Sequence, residues 1–339
     1  MAYYHCVSRV VDRQFIFDTG EKQSFLRLMR AYEKFCQVRV VTYCLMSNHF
    51  HLLVEVPKRP EVRPSEAWLM AHIEVCYGDK VSAFVAEQVK QYREAGAHAA
   101  AELVIEGWFA RMWDVSQFMK TLKQRFTQWY NKHHERRGTL WEARFRSTIV
   151  EGGPAALGIV AAYVDLNPVR AGLVNDPKDY PWCGYSAAVV GETLAQDGIG
   201  LIATLLERRA LKVTEVLARY RRMLFVAADG GDDLSMQLRK EAGAQKAGIH
   251  HDEVEKVHEA EGKLTLGELL RCRVRYFTAG AAIGTRDFVN AIFDSDRGRY
   301  GRHRIEGARP MRGGDFLGLC SLRDLQKRVI EPSGMAIAT

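Results

Sequence analysis

The feature that most constrains this chain is an apolar run at residues 39–56 that carries two histidines, His49 and His51. Val, Leu, Phe and Tyr dominate the run and Pro57 follows it, which predicts a buried strand with a bend at Ser47-Asn48. Residues two apart in a strand point to the same face, so both imidazoles should face one side of a sheet. Neutral imidazole is the commonest metal ligand in proteins, and the run therefore predicts a rigid pair of metal ligands.

A second constraint comes from residues 113–136, where apolar side chains recur at helical spacing. On that helix Tyr130 and His134 lie one turn apart on the same face. Two imidazoles are too few for a good metal site, and His134 is our candidate for the third ligand, with His133 and Asn131 as alternatives. A phenol next to a metal ligand suggests that Tyr130 attacks a metal-polarised phosphate.

Five segments then match the motifs of one family in the family's order. They are Tyr4-His-Cys-Val-Ser-Arg9, Leu45-Met-Ser-Asn-His-Phe-His-Leu-Leu53, Tyr130-Asn131, Gly138-Thr-Leu-Trp-Glu-Ala-Arg-Phe145 and Tyr163-Val-Asp-Leu-Asn-Pro-Val-Arg-Ala-Gly-Leu-Val174. Over roughly residues 3–187 the chain resembles the REP-associated tyrosine transposases, which are HUH single-strand nucleases with one catalytic tyrosine. A lone His-x-His would be weak support, whereas this ordered set is specific.

The resemblance implies an α+β fold, with a ferredoxin-like antiparallel sheet and helices as the HUH nuclease core, plus a helical C-terminal extension. It also implies a single-stranded DNA endonuclease and strand transferase that acts on hairpins of palindromic REP elements. Tyr130 would be the nucleophile and would give a 5′-phosphotyrosine and a free 3′-hydroxyl. The implied cofactor is a divalent metal, Mg²⁺ or Mn²⁺, on His49, His51 and the third ligand. Imidazoles alone would suggest Zn²⁺ or another softer metal, so the metal's identity comes from the resemblance.

The sequence leaves two other functions open. A hairpin-binding regulator without catalytic activity would bind DNA tightly and form no covalent adduct. A metal-dependent hydrolase would use water as its nucleophile and would cleave DNA without leaving it on the protein. The intact histidine pair and Tyr130 favour the tyrosine enzyme.

Basic residues predict where DNA binds. The net charge of +7 is compatible with a polyanionic partner, and cations and aromatic rings alternate between residues 120 and 146. Cations neutralise phosphates and aromatic rings stack on unpaired bases, although the same residues could form a solvated helix face and a core. The predicted DNA contacts are Arg9, Lys123, Arg125, Arg136, Arg137, Trp141, Arg144, Arg146, Arg302 and Arg304. The last two belong to an arginine-rich segment, residues 297–312, that we expect to be a flexible basic arm.

The length of 339 residues predicts two domains. We expect a nuclease domain at residues 1–190 with an insertion at about 58–112, and a mostly helical accessory DNA-binding domain at 191–339 that includes a helix at 241–270. Thr285 should cap a helix near the end of the chain, either in a helix-turn-helix or in a simple helix pair. No leader and no long apolar run are present, so we expect a cytoplasmic protein that associates with the nucleoid and not with membranes. The resemblance to the REP-associated branch implies a monomer, whereas single-tyrosine transposases of insertion sequences are dimers.

Overall fold

The computed structural model describes residues 1–207, 212–226, 270, 272–312, 316–323 and 330–331. It divides the chain into two units. The helical unit comprises residues 1–2, 10–39 and 54–142, and the sheet unit comprises residues 3–9, 40–53 and 143–339. The predicted domain boundary near residue 190 stays a prediction.

The sheet has the strand order of a ferredoxin-like fold at one end. Its first four strands are β1 (Ala2–Arg9), β2 (Arg39–Leu45), β3 (His49–Val56) and β4 (Arg146–Val150), with helix α1 (Thr19–Phe35) between β1 and β2. They lie in the order β2-β3-β1-β4, and β4 runs antiparallel to β1 with Tyr3 opposite Val150. The predicted α+β class and ferredoxin-like core are confirmed.

The predicted single strand at residues 39–56 is in fact two strands. The backbone N–H of Met46 donates to the carbonyl of His49 over 2.9 Å, which closes a tight turn around Ser47 and Asn48. Ser and Asn are frequent turn residues because their short polar side chains hydrogen-bond to nearby backbone. The expected bend therefore separates β2 from β3, and His49 becomes the first residue of β3.

The helical unit contains α1 and four further helices. They are α2 (Glu66–Tyr77), α3 (Asp79–Glu94), α4 (His98–Phe109) and α5 (Val115–His133). Helix α1 packs against α2 and α5, while α2 packs against α3 and α3 against α4. The Asp114 carboxylate caps α5 by accepting from the N–H of Gln117 over 2.9 Å. Helices α2 to α4 account for most of the predicted insertion.

The sheet unit places five helices near the strands. They are α6 (Pro154–Asp165), α7 (Asn167–Arg170), α8 (Gly184–Val189), α9 (Thr193–Glu207) and α10 (Val213–Val226). The Asp165 carboxylate, which is fully buried, accepts from the hydroxyls of Thr42 and Tyr220 and from the N–H of Tyr185. These bonds tie β2, α6, α8 and α10 together. Burial raises the pKa of Asp165 to about 6.

The C-terminal extension supplies strands as well as helices. Its elements are β5 (Arg273–Val274), α11 (Arg275–Ala279), β6 (Ala282–Gly284), α12 (Arg286–Ser295), β7 (Arg309–Pro310), β8 (Cys320–Ser321) and β9 (Ile330–Glu331). Strand β6 lies parallel to β4 and continues the sheet through β8 and β7. Thr285 caps α12 as predicted, because its hydroxyl accepts from the N–H of Phe288 over 3.3 Å.

The predicted helix at 241–270 lies outside the described residues except for Leu270. Within the described ranges, no helix has the length and apolar character needed to cross a bilayer.

Candidate active site

Three histidines meet on the sheet. His5 comes from β1 and His51 from β3, and their side-chain nitrogens, His5 Nε2 and His51 Nδ1, lie 2.9 Å apart. His49 is two residues before His51, and the centroids of these two rings are 5.2 Å apart. His5 and His51 are buried, with 1% and 3% of their surface exposed. The predicted pairing of His49 and His51 on one face therefore agrees with the structure, and His5 joins them.

The hydrogen bonds determine which nitrogen of each ring carries the proton. His5 Nδ1 lies 2.7 Å from the carbonyl oxygen of Phe277, which only accepts, so His5 donates there and its Nε2 must accept from His51 Nδ1. His49 Nδ1 donates to the Asn48 amide oxygen over 2.7 Å. As a result, Nε2 is the unprotonated nitrogen of both His49 and His51, and its lone pair is available to a metal ion.

Burial and nearby cations keep these rings neutral. Burial lowers the pKa of His49 to about 3, assisted by the positive charges of Arg9, Arg273 and Arg170. Burial also lowers the pKa of His5 to about 4 and holds the pKa of His51 well below its usual range. A neutral imidazole keeps the lone pair that a metal needs, so His49 and His51 each offer one donor atom near neutral pH. Both nitrogens of His5 are already in hydrogen bonds, so His5 orients His51 and offers no lone pair of its own.

Arg170 is a buried cation that sequence reasoning did not single out. Its guanidinium donates to the carbonyls of Tyr163 and Leu270, at 2.7 and 2.9 Å, and lies 3.8 Å from the centroid of the Tyr163 ring. Arg170 lies inside the Tyr163–Val174 motif, and this position is the sequence feature that could have indicated a functional role. A fixed positive charge in the sheet unit favours anionic ligands there.

Tyr130 and His134 lie in the helical unit. Their rings stack with centroids 4.1 Å apart, as their one-turn spacing predicted. His134 Nε2 lies 2.9 Å from a carboxylate oxygen of Glu21, a buried residue of α1 that sequence reasoning also missed. No sequence signal pointed to Glu21, because the contact joins residues 113 positions apart.

The third metal ligand stays a prediction. Within the described parts of the chain, no cluster of three or more His, Cys, Asp or Glu side chains has the arrangement of a metal site. Of the candidates, His134 is bonded to Glu21, whereas Asn131 has a buried side-chain oxygen that makes no hydrogen bond. Glu21 has a second such oxygen, Oε2. Oxygen atoms of this kind are the donors that Mg²⁺ and Mn²⁺ prefer.

The residues predicted to contact DNA differ in exposure. The exposed ones are Arg137, Arg144, Arg146 and Arg302, and the partly buried ones are Arg9, Arg125, Arg136 and Arg304. Lys123 and Trp141 are both 8% exposed. These last two offer little surface to a phosphate or a base.

Lys123 and Trp141 pack against each other. The Trp141 indole N–H donates to the hydroxyl of Thr127 over 2.9 Å and to the Lys123 carbonyl over 3.2 Å, and the Lys123 ammonium lies 5.2 Å from the Trp141 ring centroid. Burial lowers the pKa of Lys123 to about 8. Arg304 is likewise engaged, because its guanidinium donates to the carbonyls of Glu306, Gly307 and Leu322. Around Arg304 the arginine-rich segment is thus folded, contrary to a wholly flexible arm.

A comparison with known protein families matches the first part of the chain. Residues 1–92 match the family model of IS200-like transposases. The resemblance to transposases is confirmed. This span includes His5, His49 and His51, whereas Tyr130 lies beyond it. No curated protein matches the chain.

A solved structure of a REP-associated tyrosine transposase bound to a REP hairpin is also similar to this chain. The similarity covers 56% of this chain and 80% of the other, with 13% sequence identity and a TM-score of 0.35. A similarity this distant supports no inference about activity or substrate.

Proposed function

We propose that this transposase-like protein is a single-stranded DNA endonuclease and strand transferase that acts on hairpin DNA of the REP type, with Tyr130 as its nucleophile. The observation that carries the proposal is the tautomer of the histidine pair. His49 and His51 both hold Nε2 unprotonated, each because its Nδ1 donates to a fixed acceptor. A histidine that binds a metal commonly donates its other ring N–H to an acceptor, and this hydrogen bond fixes the orientation of the ring.

His49 and His51 would hold a divalent metal, Mg²⁺ or Mn²⁺. When bound, the metal would supply a Lewis acid that polarises the scissile phosphate. Side chains of the protein would carry out the remaining steps. The Tyr130 phenol loses its proton to water and its oxygen forms a bond to phosphorus, while the bond between phosphorus and the 3′ oxygen breaks. The 3′ oxygen takes up a proton, which leaves a free 3′-hydroxyl and a 5′-phosphotyrosine.

Other residues would position the substrate and the ligands. His5 fixes the orientation of His51, and Phe277 fixes that of His5 through its carbonyl. The exposed arginines Arg137, Arg144 and Arg146 would contact phosphates and set the salt dependence of binding.

The test uses hairpin DNA with flanking single strands, taken from regions next to the gene and labelled at the 3′ end. Because the phosphotyrosine bond retains the fragment that carries the 5′-phosphate, the 3′ label should migrate with the protein on a denaturing gel when Mn²⁺ or Mg²⁺ is present. Tyr130→Phe should abolish this band. Tyr92→Phe is the matched control, since Tyr92 is an exposed tyrosine in the same unit and should leave the band unchanged.

The other outcomes separate the alternatives. Cleavage by Tyr130→Phe at the parent rate would exclude Tyr130 as nucleophile, and cleavage without an adduct would indicate a hydrolase that uses water. Tight binding without cleavage in either metal would indicate a regulator that has lost catalytic activity.

A further inference from the structure

The helical unit contains a polar cavity that the proposed chemistry does not use. Its volume is about 610 Å³, within the range of roughly 300–1,000 Å³ typical of ligand sites. It is lined by the predicted insertion, through Tyr77, Trp108 and Arg111, and by α5, through Lys120, Gln124 and Arg125.

The charge of the cavity is positive. Three cations line it, Arg111, Lys120 and Arg125, and no Asp or Glu is among its lining residues. A cavity of this kind attracts an anion, and arginine recognises phosphate oxygens through two parallel N–H donors.

Arg111 is held in place before any ligand arrives. Its guanidinium lies 4.7 Å from the ring centroid of Trp108, 5.0 Å from that of Tyr77 and 5.1 Å from that of Phe35. It also donates to the Tyr77 hydroxyl. The Arg125 guanidinium also contacts Tyr77 and lies 5.1 Å from the centroid of its ring. Fixing these cations in advance lowers the entropy lost when a phosphate binds.

One face of α5 extends the cavity into a polar stripe. Gln117, Lys120, Gln124 and Gln128 follow each other at spacings of three and four residues, which places them on one face of the helix. They span twelve residues, or about 16 Å along the helix axis. Amide side chains donate and accept, so they can bond to the edges of unpaired bases as well as to phosphates.

We propose that this cavity and stripe bind the unpaired DNA strand that flanks the hairpin. The inference rests on the proposed function and adds a role for the insertion in recognising that strand. Single-strand sites combine a row of cations with aromatic rings and base contacts, and the cavity has all three. In a duplex the pairing edges of the bases are bonded to each other, so the amides of Gln117, Gln124 and Gln128 could reach those edges only on an unpaired strand. The length of the stripe exceeds one phosphate group, which favours a chain over a mononucleotide.

The experiment measures binding of fluorescently labelled oligonucleotides to the full-length protein by anisotropy, without divalent metal so that no cleavage occurs. One oligonucleotide is the hairpin with its flanking strand and the other is the hairpin alone. The variant is Lys120→Glu, which changes an exposed side chain and leaves the core intact. The matched control is Lys58→Glu, which makes the same change of charge at an exposed lysine of the same unit outside the cavity.

We expect Lys120→Glu to weaken binding of the flanked hairpin about tenfold and to lower the slope of log Kd against log salt by about 0.7, as for one lost phosphate contact on a single strand. Binding of the hairpin alone should stay unchanged for Lys120→Glu, and both oligonucleotides should bind Lys58→Glu as tightly as the parent.

Equal binding of the flanked hairpin by Lys120→Glu and the parent would overturn the proposal while leaving the nuclease function intact. Equal weakening for both oligonucleotides would assign the cavity to the duplex and would also overturn it. Displacement of the flanked strand by a mononucleotide at a concentration near the Kd of the oligonucleotide would assign the cavity to a free nucleotide instead. If the parent binds neither oligonucleotide, the proposed function itself fails. The adduct gel, which needs no cavity variant, distinguishes that failure from the others.

Discussion

Replacing His5 with phenylalanine tests whether the hydrogen-bond chain prepares His51 for a metal. The ring keeps a similar size and shape, but His51 Nδ1 loses the acceptor that lies 2.9 Å away. His51 is 3% exposed, so its N–H would be left buried without a partner, at a cost of about 1–3 kcal/mol. The ring can relieve that cost by moving its proton to Nε2 or by turning, and either change removes the lone pair from the metal side.

The expected effect on metal affinity follows from that cost. At about 1.4 kcal/mol per factor of ten, the penalty corresponds to roughly a 5- to 150-fold loss, consistent with the 10- to 100-fold losses typical when the partner of a metal-binding histidine is removed. Titration of Mn²⁺ into the full-length protein, with free Mn²⁺ measured by electron paramagnetic resonance, gives the affinity without relying on activity.

His5→Gln is the matched control, because one amide can accept from His51 and donate to the Phe277 carbonyl. We expect it to bind Mn²⁺ within about threefold of the parent, since it restores both hydrogen bonds. Unchanged Mn²⁺ affinity in a folded His5→Phe protein would refute the reasoning. Loss of affinity in both variants to the same extent would show that packing at residue 5 matters and the hydrogen bonds do not.

Two further predictions concern the stability of the sheet unit. Asp165→Ala should lower the free energy of unfolding by about 3 kcal/mol in a urea titration, because it leaves three buried donors without an acceptor, while Asp165→Asn should lose less. Since the pKa of Asp165 is raised to about 6 in the folded state, its contribution to stability should be full below about pH 4 and should decline by about 3 kcal/mol in total as the pH rises through 6. A difference in unfolding free energy between the parent and Asp165→Asn that does not vary with pH would contradict this. Gly198→Ala should lower the melting temperature by several degrees, because a Cβ there would lie 2.2 Å from the carbonyl oxygen of Val41. Gly200→Ala in the same helix meets no atom within 4 Å and should raise stability by up to about 1 kcal/mol, so equal melting temperatures for the two variants would argue against the close packing of α9 on β2.

Local features of the sequence predicted the elements that carry the site. The apolar run around His49 and His51 predicted a strand with both rings on one face, and the helical periodicity of residues 113–136 predicted α5 with Tyr130 and His134 on one face, where their rings stack. These features depend on backbone geometry alone, in which a period of two or of 3.6 residues determines which side chains are neighbours. The Ser47-Asn48 pair was read as a bend, and only the strand pairing showed that it separates two strands.

The tertiary structure alone decided the protonation of the histidines and the burial of two predicted DNA contacts. The orientation of His51 depends on His5, and that of His5 on a carbonyl 272 residues further along the chain. Lys123 and Trp141 looked like DNA contacts because cations and aromatic rings alternate there, yet the fold packs them against each other. Sequence periodicity specifies which residues share a face, but a proton's position and a side chain's exposure depend on the groups that distant segments bring to that face.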